Sequence, residues 1–196
     1  MPRVKERTPQ LRDQVLEAAL RVLAEGGVAA VTTRTVAREA GTSTPAVYEL
    51  FGDKGGLVRE VFFEGFRRLK RHLDGVVESA DPRADLIQLA WAYRGFMRDN
   101  PTLAEVMLSR PFTDFSPGPN ELKASGSVRN LIVERVRRCV AAGLFRGDPT
   151  DIAHVLVSLV QGLASAENAR RLGTSRRSVE RRWALALDAI VAGFSS

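Results

Sequence analysis

The chain has 196 residues, 44% hydrophobic and 27% charged, which suits one or two folded domains and excludes an intrinsically disordered chain. A formal net charge of +6 and a pI near 10.2 favour an acidic partner, nucleic acid or an anionic membrane, without choosing between them. The single cysteine, Cys139, excludes an intrachain disulfide and a cysteine-rich metal site and fits a reducing cytoplasm. The opening MPRVKERTPQ lacks an apolar leader, and no run of about 18 apolar residues is present, so neither a signal peptide nor a membrane span is expected.

Residues 1–7 are polar, with Arg3, Lys5 and Arg7, and suit a solvated terminus or an arm reaching into a minor groove. A first long helix is predicted from residue 8 or 9 to 25, on a stripe of Leu11, Val15, Ala18, Ala19, Val22 and Leu23. Gly26-Gly27 ends it. The stretch TTRTVAREAGTSTPAVYELFGDK, residues 32–54, reads as two short helices joined by a tight turn. The first, 33–40, places Val36, Ala37 and Ala40 on one face. Gly41 stands where the chain must turn with positive φ. Ser43 is a candidate N-cap, and Thr44 and Pro45 open the second helix, 44–50, which buries Val47. Two helices about such a turn make a helix-turn-helix, whose second helix enters the major groove of DNA.

Asp53 can cap a long helix, 54–77, with a stripe of Leu57, Val58, Val61, Phe62, Gly65, Phe66, Leu69 and Leu73. Its other face carries Arg59, Arg67, Arg68, Lys70 and Arg71, expected to be solvated rather than bound to phosphate. Asp81-Pro82 opens a helix to about residue 100, marked by Leu86, Leu89, Ala90, Tyr93, Phe96 and Met97, and Asn100-Pro101 ends it. A short helix follows over 102–109, then a Pro/Gly/Ser/Asp-rich loop over 111–120, then helices over 121–142, 149–172 and 175–194. Strand-like alternation and internal repeats are absent. The chain therefore reads as all-α, with about nine helices.

The last two helices are apolar nearly all round. Ile152, Val155, Leu156, Leu159, Val160, Leu163 and Ala164 line the first. Val179, Trp183, Ala186, Leu187, Ile190 and Phe194 line the second, widened by Leu185, Ala189 and Ala192. Such helices must be buried, either in the chain's own core or, two from each chain, in a four-helix homodimer interface over 150–172 and 175–195. Enzyme chemistry has no foothold. His72 and His154 lie on separate helices outside any metal-ligand cluster, Ser165 is not in a nucleophile elbow, and Gly52 to Gly56 lacks phosphate-loop spacing. No catalytic residue, metal or cofactor is expected, and Cys139 reads as a buried small hydrophobe.

Together, Thr32-Thr33-Arg34, Val36-Ala37, Ala40-Gly41, Ser43, Pro45, Tyr48, Phe51, Lys54 and Leu57 resemble the TetR (tetracycline-repressor-like) family of bacterial transcription regulators over residues 8–60. Asn100-Pro101, Val160-Gln161-Gly162 and the stretch around Trp183 resemble one subgroup of TetR C-terminal domains, which often carry His-Gly where this chain has Gln161-Gly162. The resemblance implies a cytoplasmic homodimeric repressor with a three-helix DNA-binding domain (1–55) and a helical ligand-binding and dimerisation domain (56–196). It would bind a near-palindromic operator, from which a small ligand releases it. On that reading Arg34 meets guanine O6/N7 or a phosphate, Thr44 a base edge, and Pro45 and Ala46 a thymine methyl. Tyr48 and Lys54, with Thr33 as a further contact, meet phosphates; Ser43 is more a cap than a reader. Leu50 stands where many members have His, so a phosphate contact does not carry over there. Glu49 is solvated unless it accepts from cytosine N4. Candidates for the wall of an apolar pocket are Trp91, Tyr93, Phe96, Met97, Met107, Phe112, Phe115, Leu131 and Gln161, with His154 as a further polar group and 111–120 as lid or portal. The ligand would be small and hydrophobic. Two alternatives stay open: a DNA-binding regulator without an effector, and a ligand-binding protein that no longer reads DNA, against which Arg34, Tyr48 and Lys54 speak.

Overall fold

A computed structural model describes residues 9–108 and 119–195. Among these residues it has nine helices, and the only β pairing is an isolated bridge between Phe145 and Ser195. Helix α1 (Pro9–Ala30) buries Leu11, Val15, Ala18, Ala19 and Leu23, as its stripe predicts, together with Leu16 and Leu20. Its expected stop at Gly26-Gly27 is a break instead: the backbone leaves the helical region at Gly27 (φ 70°) and helical turns resume to Ala30.

Helix α2 (Thr33–Glu39) starts on a reciprocal cap. The Thr32 hydroxyl accepts the Thr35 N–H at 3.1 Å, and the Thr35 hydroxyl accepts the Thr32 N–H at 3.0 Å. Gly41, at φ 61°, makes the turn. Helix α3 (Thr44–Phe51) is capped as expected, by the Ser43 hydroxyl accepting the Ala46 N–H at 3.3 Å. Val36, Ala37, Ala40, Val47 and Phe51 then join the α1 stripe in one core. Helix α4 (Lys54–Asp74) is capped by Asp53, whose carboxylate accepts the Gly56 N–H at 2.7 Å. At this α3–α4 junction a Cβ on residue 56 would lie 1.9 Å from the Phe51 carbonyl oxygen, so only glycine fits.

Two features of α4 differ from the sequence reading. Phe63 is the fully buried aromatic, while Phe62 and Phe66 are half-buried and meet in a tilted ring contact, 5.0 Å between centroids. The basic run is not simply solvated. Arg67 pairs with Glu64 (2.6 Å) and Glu60 (2.7 Å), Arg71 pairs with Glu64 (2.9 Å), and Arg68 bridges Glu64 and Glu17. Arg12 adds a contact to Glu60 at 2.6 Å and lies over the Phe51 ring. The run therefore ties α4 to α1, because acids from two helices meet it.

The body comprises α5 (Pro82–Asp99), α6 (Pro101–Leu108), α7 (Pro119–Ala141), α8 (Pro149–Asn168) and α9 (Arg176–Phe194). The predicted loop over 111–120 lies outside the described residues except for its last two positions, which open α7. Helix α8 ends at Asn168 rather than near 172. Arg170 takes φ 56°, and the Arg171 N–H donates to the Ala166 carbonyl at 2.7 Å, a helix closure in which arginine occupies the position glycine usually fills.

Polar clamps hold the body. Asp85 accepts the Ser79 N–H and hydroxyl and the Arg138 guanidinium (2.8 Å), so its carboxyl pKa falls to about 2 and the α4–α5 link is pinned to α7. Buried Arg94 grips Glu167 with two bonds of 2.8 Å, and the Trp183 indole donates to the same carboxylate at 2.7 Å, joining α5, α8 and α9. No described helix is long and apolar enough to cross a membrane. Helices α8 and α9 are each split: Ile152, Leu156, Val160, Trp183, Leu187 and Val191 face the core. Val155 (46% exposed) and Leu185 (67%) stand in the open with Ala189 and Ala192.

Candidate DNA-binding face and apolar cavity

The outer face of the helix-turn-helix is built by subtraction. Once Val36, Ala37 and Ala40 point inward, Arg34 and Arg38, four residues apart on α2, must point outward. Once Val47 and Phe51 do so, Pro45, Tyr48 and Glu49 are left outside on α3. Tyr48 is 49% exposed, so its hydroxyl and ring edge are open to a partner. Lys54 is exposed at the first position of α4, whose first turn contains no acid of its own. The side chains of Arg34, Arg38, Tyr48 and Lys54 have no hydrogen-bond or ion-pair partner among the described residues.

The other predicted contact residues are placed differently. Ser43 is exposed, with its hydroxyl committed to the cap, and Thr44 and Ala46 are half-buried at the start of α3. Thr33 is only 8% exposed, so its side chain is sunk in the head rather than displayed. Leu50 is half-buried against the core, and its carbonyl accepts the Arg12 guanidinium at 3.1 Å. Arg38 and Arg12 escaped the sequence reading. The four-residue spacing from Arg34 was a signal for Arg38. Arg12 acts across 38 positions of sequence and left none.

A cavity of about 30 Å³ lies in the body. Its wall combines Leu73 of α4, Leu86, Ile87, Leu89, Ala90 and Tyr93 of α5, and Ile132 of α7 with Leu156, Val157 and Val160 of α8 and Leu187 and Val191 of α9. Of the described residues proposed from sequence for a pocket, only Tyr93 is on this wall. It is 4% exposed, its hydroxyl is buried without a hydrogen-bond partner, and burial pushes the phenol pKa up, keeping the group neutral.

Trp91 instead stacks near Trp183 (6.2 Å between rings), with the Arg94 guanidinium over both. Phe96 packs by His72, and Met97 and Met107 fill core. Leu131 and Gln161 are half-buried away from this wall, and His154 is exposed, bonding its own helix at the Thr150 carbonyl. Phe112 and Phe115 lie outside the described residues. The wall is aliphatic, and aliphatic residues on several helices do not stand out in sequence from ordinary core. No cluster of three or more potential metal ligands exists among the described residues.

Comparison with known proteins gives this arrangement its relatives. The family described as "Bacterial regulatory proteins, tetR family" matches residues 15–61, and "Tetracyclin repressor-like, C-terminal domain" matches 86–190. The transcriptional regulator HbdR of Aromatoleum sp. (strain CIB) is 28% identical over 141 residues, 69% of this chain but 60% of its own length. The regulator BetI of Vibrio parahaemolyticus is 27% identical over 83% of this chain and 82% of its own. The nicotine-responsive repressor HdnoR of Paenarthrobacter nicotinovorans is 36% identical over 43% and 46%. A Rhodococcus sp. RHA1 protein of unknown function superposes with a TM-score of 0.80 at 28% identity, covering 98% of this chain and 100% of that one. The head that displays Arg34, Tyr48 and Lys54 falls within the first matched region and the cavity within the second, apart from Leu73 and Val191 at its edges. The chain belongs to the tetR family of bacterial transcription regulators.

Proposed function

We propose that the chain works as a homodimer that reads a two-fold symmetric operator with α2 and α3 and leaves it when a small apolar molecule enters the body. The observation that carries this is the set of unpartnered side chains on the head: Arg34, Arg38, Tyr48 and Lys54, displayed on three successive helices. A guanidinium without an internal partner is free to take guanine O6/N7 or a phosphate. Tyr48 and Lys54 anchor the backbone, Thr44, Pro45 and Ala46 meet base edges, and Thr33 adds at most its backbone N–H. Residues 1–55 read DNA and 56–196 carry the dimer interface and the ligand. The open faces of α8 and α9 supply that interface, since Val155 and Leu185 are large apolar side chains left exposed there.

Selection of genomic fragments on the purified dimer, followed by titration against the recovered site and against random DNA over a salt series, tests this directly. Tight, salt-sensitive binding that prefers the recovered site is expected. Equal affinity for both DNAs would sink sequence-specific reading. One observation favours a second reading, a regulator without an effector: the cavity, at about 30 Å³, has room for little more than a water molecule. Failure of any small-molecule fraction of a cell extract to release the operator complex supports that second reading.

A further inference from the structure

The cavity contains a contradiction that the fold does not resolve. Among the described residues its wall is contributed by five helices and is aliphatic except for Tyr93. The Tyr93 hydroxyl is buried and makes no hydrogen bond. A buried hydroxyl without a partner destabilises the protein that contains it, and phenylalanine would fill the same space without that cost. Water is a poor answer. A buried water needs two to four polar partners, and the described residues of this wall offer one polar side chain, Tyr93.

Charge is missing as well. The neighbouring Arg94 is already bound in two places to Glu167, and no charged side chain among the described residues lines the cavity. A carboxylate or ammonium entering here would lose its hydration and meet no counter-charge. Leu73 also matters, because it places the last turns of α4 on the wall, the helix whose first residue stands beside the reading head.

The geometry points to the ligand's chemical class: an uncharged, compact, apolar molecule with a single hydrogen-bonding atom, which Tyr93 Oη meets as the only polar anchor. This rests on the proposal that the body binds a small effector. At about 30 Å³ the cavity must widen to admit such a molecule, so binding selects a conformation in which α4, α5, α8 and α9 are further apart.

Four probes of matched size separate the possibilities on the full-length protein: acetophenone (neutral, one acceptor), ethylbenzene (no polar atom), benzoate and benzylammonium. Calorimetric titration should show acetophenone binding saturably and neither ion binding. Tyr93→Phe should weaken acetophenone about tenfold, the value of one buried neutral hydrogen bond, and leave ethylbenzene unchanged. Without ligand, Tyr93→Phe should melt at a higher temperature than the wild type. Tighter binding of either ion, no binding of any probe, equal loss of acetophenone and ethylbenzene in the variant, or a lower melting temperature would each overturn the assignment. The operator complex separates this from the broader reading. Tyr93-dependent acetophenone binding without operator release supports the site and removes effector control. Release by a charged extract compound that acetophenone cannot mimic removes the site and leaves effector control standing.

Discussion

Arginines stand on both sides of the α3–α4 junction, in opposite company. On α4, Arg67, Arg68 and Arg71 converge on Glu64, which is only 8% exposed, with Glu60 and Glu17 completing the set. On α2, Arg34 and Arg38 face outward with no acid among the described residues to meet them. In sequence the α4 run looks the more basic, and in the folded chain it is the more nearly neutral. Its ion pairs hold α4 on α1, as structural glue between the head and the helix that reaches the cavity. Free cations on a rigid short helix are what a polyanion can use. Where the acids lie in space decides which cluster is which, and the density of Arg and Lys along the chain does not.

That contrast matters to an operator only if two heads are held at a fixed spacing, so the largest effect is expected where neither cluster lies. Val155→Asp with Leu185→Asp places charge on the open faces of α8 and α9. Sedimentation should show monomers, and affinity for a palindromic site should fall by about 10²–10⁴, the gain that linkage of two binding units provides. Dimers with unchanged affinity would move the interface elsewhere and leave those apolar faces unexplained.

The next effect falls on the junction itself. Gly56→Ala brings a Cβ to 1.9 Å from the Phe51 carbonyl, a backbone atom that cannot swing aside. A loss of about 3 kcal/mol in urea unfolding is expected, at the upper end for overpacking. A smaller loss accompanied by weaker operator binding would mean that the junction shifts α3 and α4 relative to each other instead of unfolding.

The two basic clusters can be set against each other directly. Arg34→Ala should lower specific operator affinity by about 1–3 kcal/mol, more than it lowers random-DNA affinity, and leave stability unchanged. Arg71→Ala should do the reverse, sparing DNA binding and reducing stability by less than about 1 kcal/mol, since its side chain is largely exposed. If both variants lost DNA affinity alike, the α4 run would be part of the DNA footprint despite its acids.

Local signals in the sequence were the legible ones. Ser43 and Asp53 cap α3 and α4 as expected, because a cap is an agreement between residues three apart. The nine helices of the described residues were visible as stripes and breaks. What failed depends on contacts across the chain. Phe63 rather than Phe62 is fully buried, because α6 and α7 as well as α1 pack on α4, so its inward face is wider than one stripe. The end of α8 rests on Arg170 adopting a conformation its residue type does not announce. On α3 and at the start of α4 the outward Pro45, Tyr48, Glu49 and Lys54 were named, and on α2 Arg34 was named while Arg38 and Glu39 were not, since exposure there is the complement of a clear stripe. The cavity was not, since of the described aromatic and Met residues chosen for it only Tyr93 is on a wall that Leu, Ile, Val and Ala otherwise make.

Glu64 itself tests whether the acids of α4 cause the contrast. Burial alone would raise the pKa of Glu64, but hydrogen bonds from Arg67 and Arg71 outweigh it and hold the carboxyl below its ordinary value. A carboxyl depressed by folding stabilises the fold above its ordinary pKa, and that contribution disappears as pH falls below it toward the folded value. Glu64→Gln should therefore cost about 1 kcal/mol at pH 7, discounted for the partly exposed arginines, and the gap to wild type should narrow below about pH 4.3. Urea unfolding at pH 7 and at pH 3.5 measures both. A gap that stays constant across that range would mean packing, not the carboxylate, holds the three arginines in place. The α2 and α4 clusters would then differ by exposure alone, and the free state of Arg34 would lose its value as a sign of a partner.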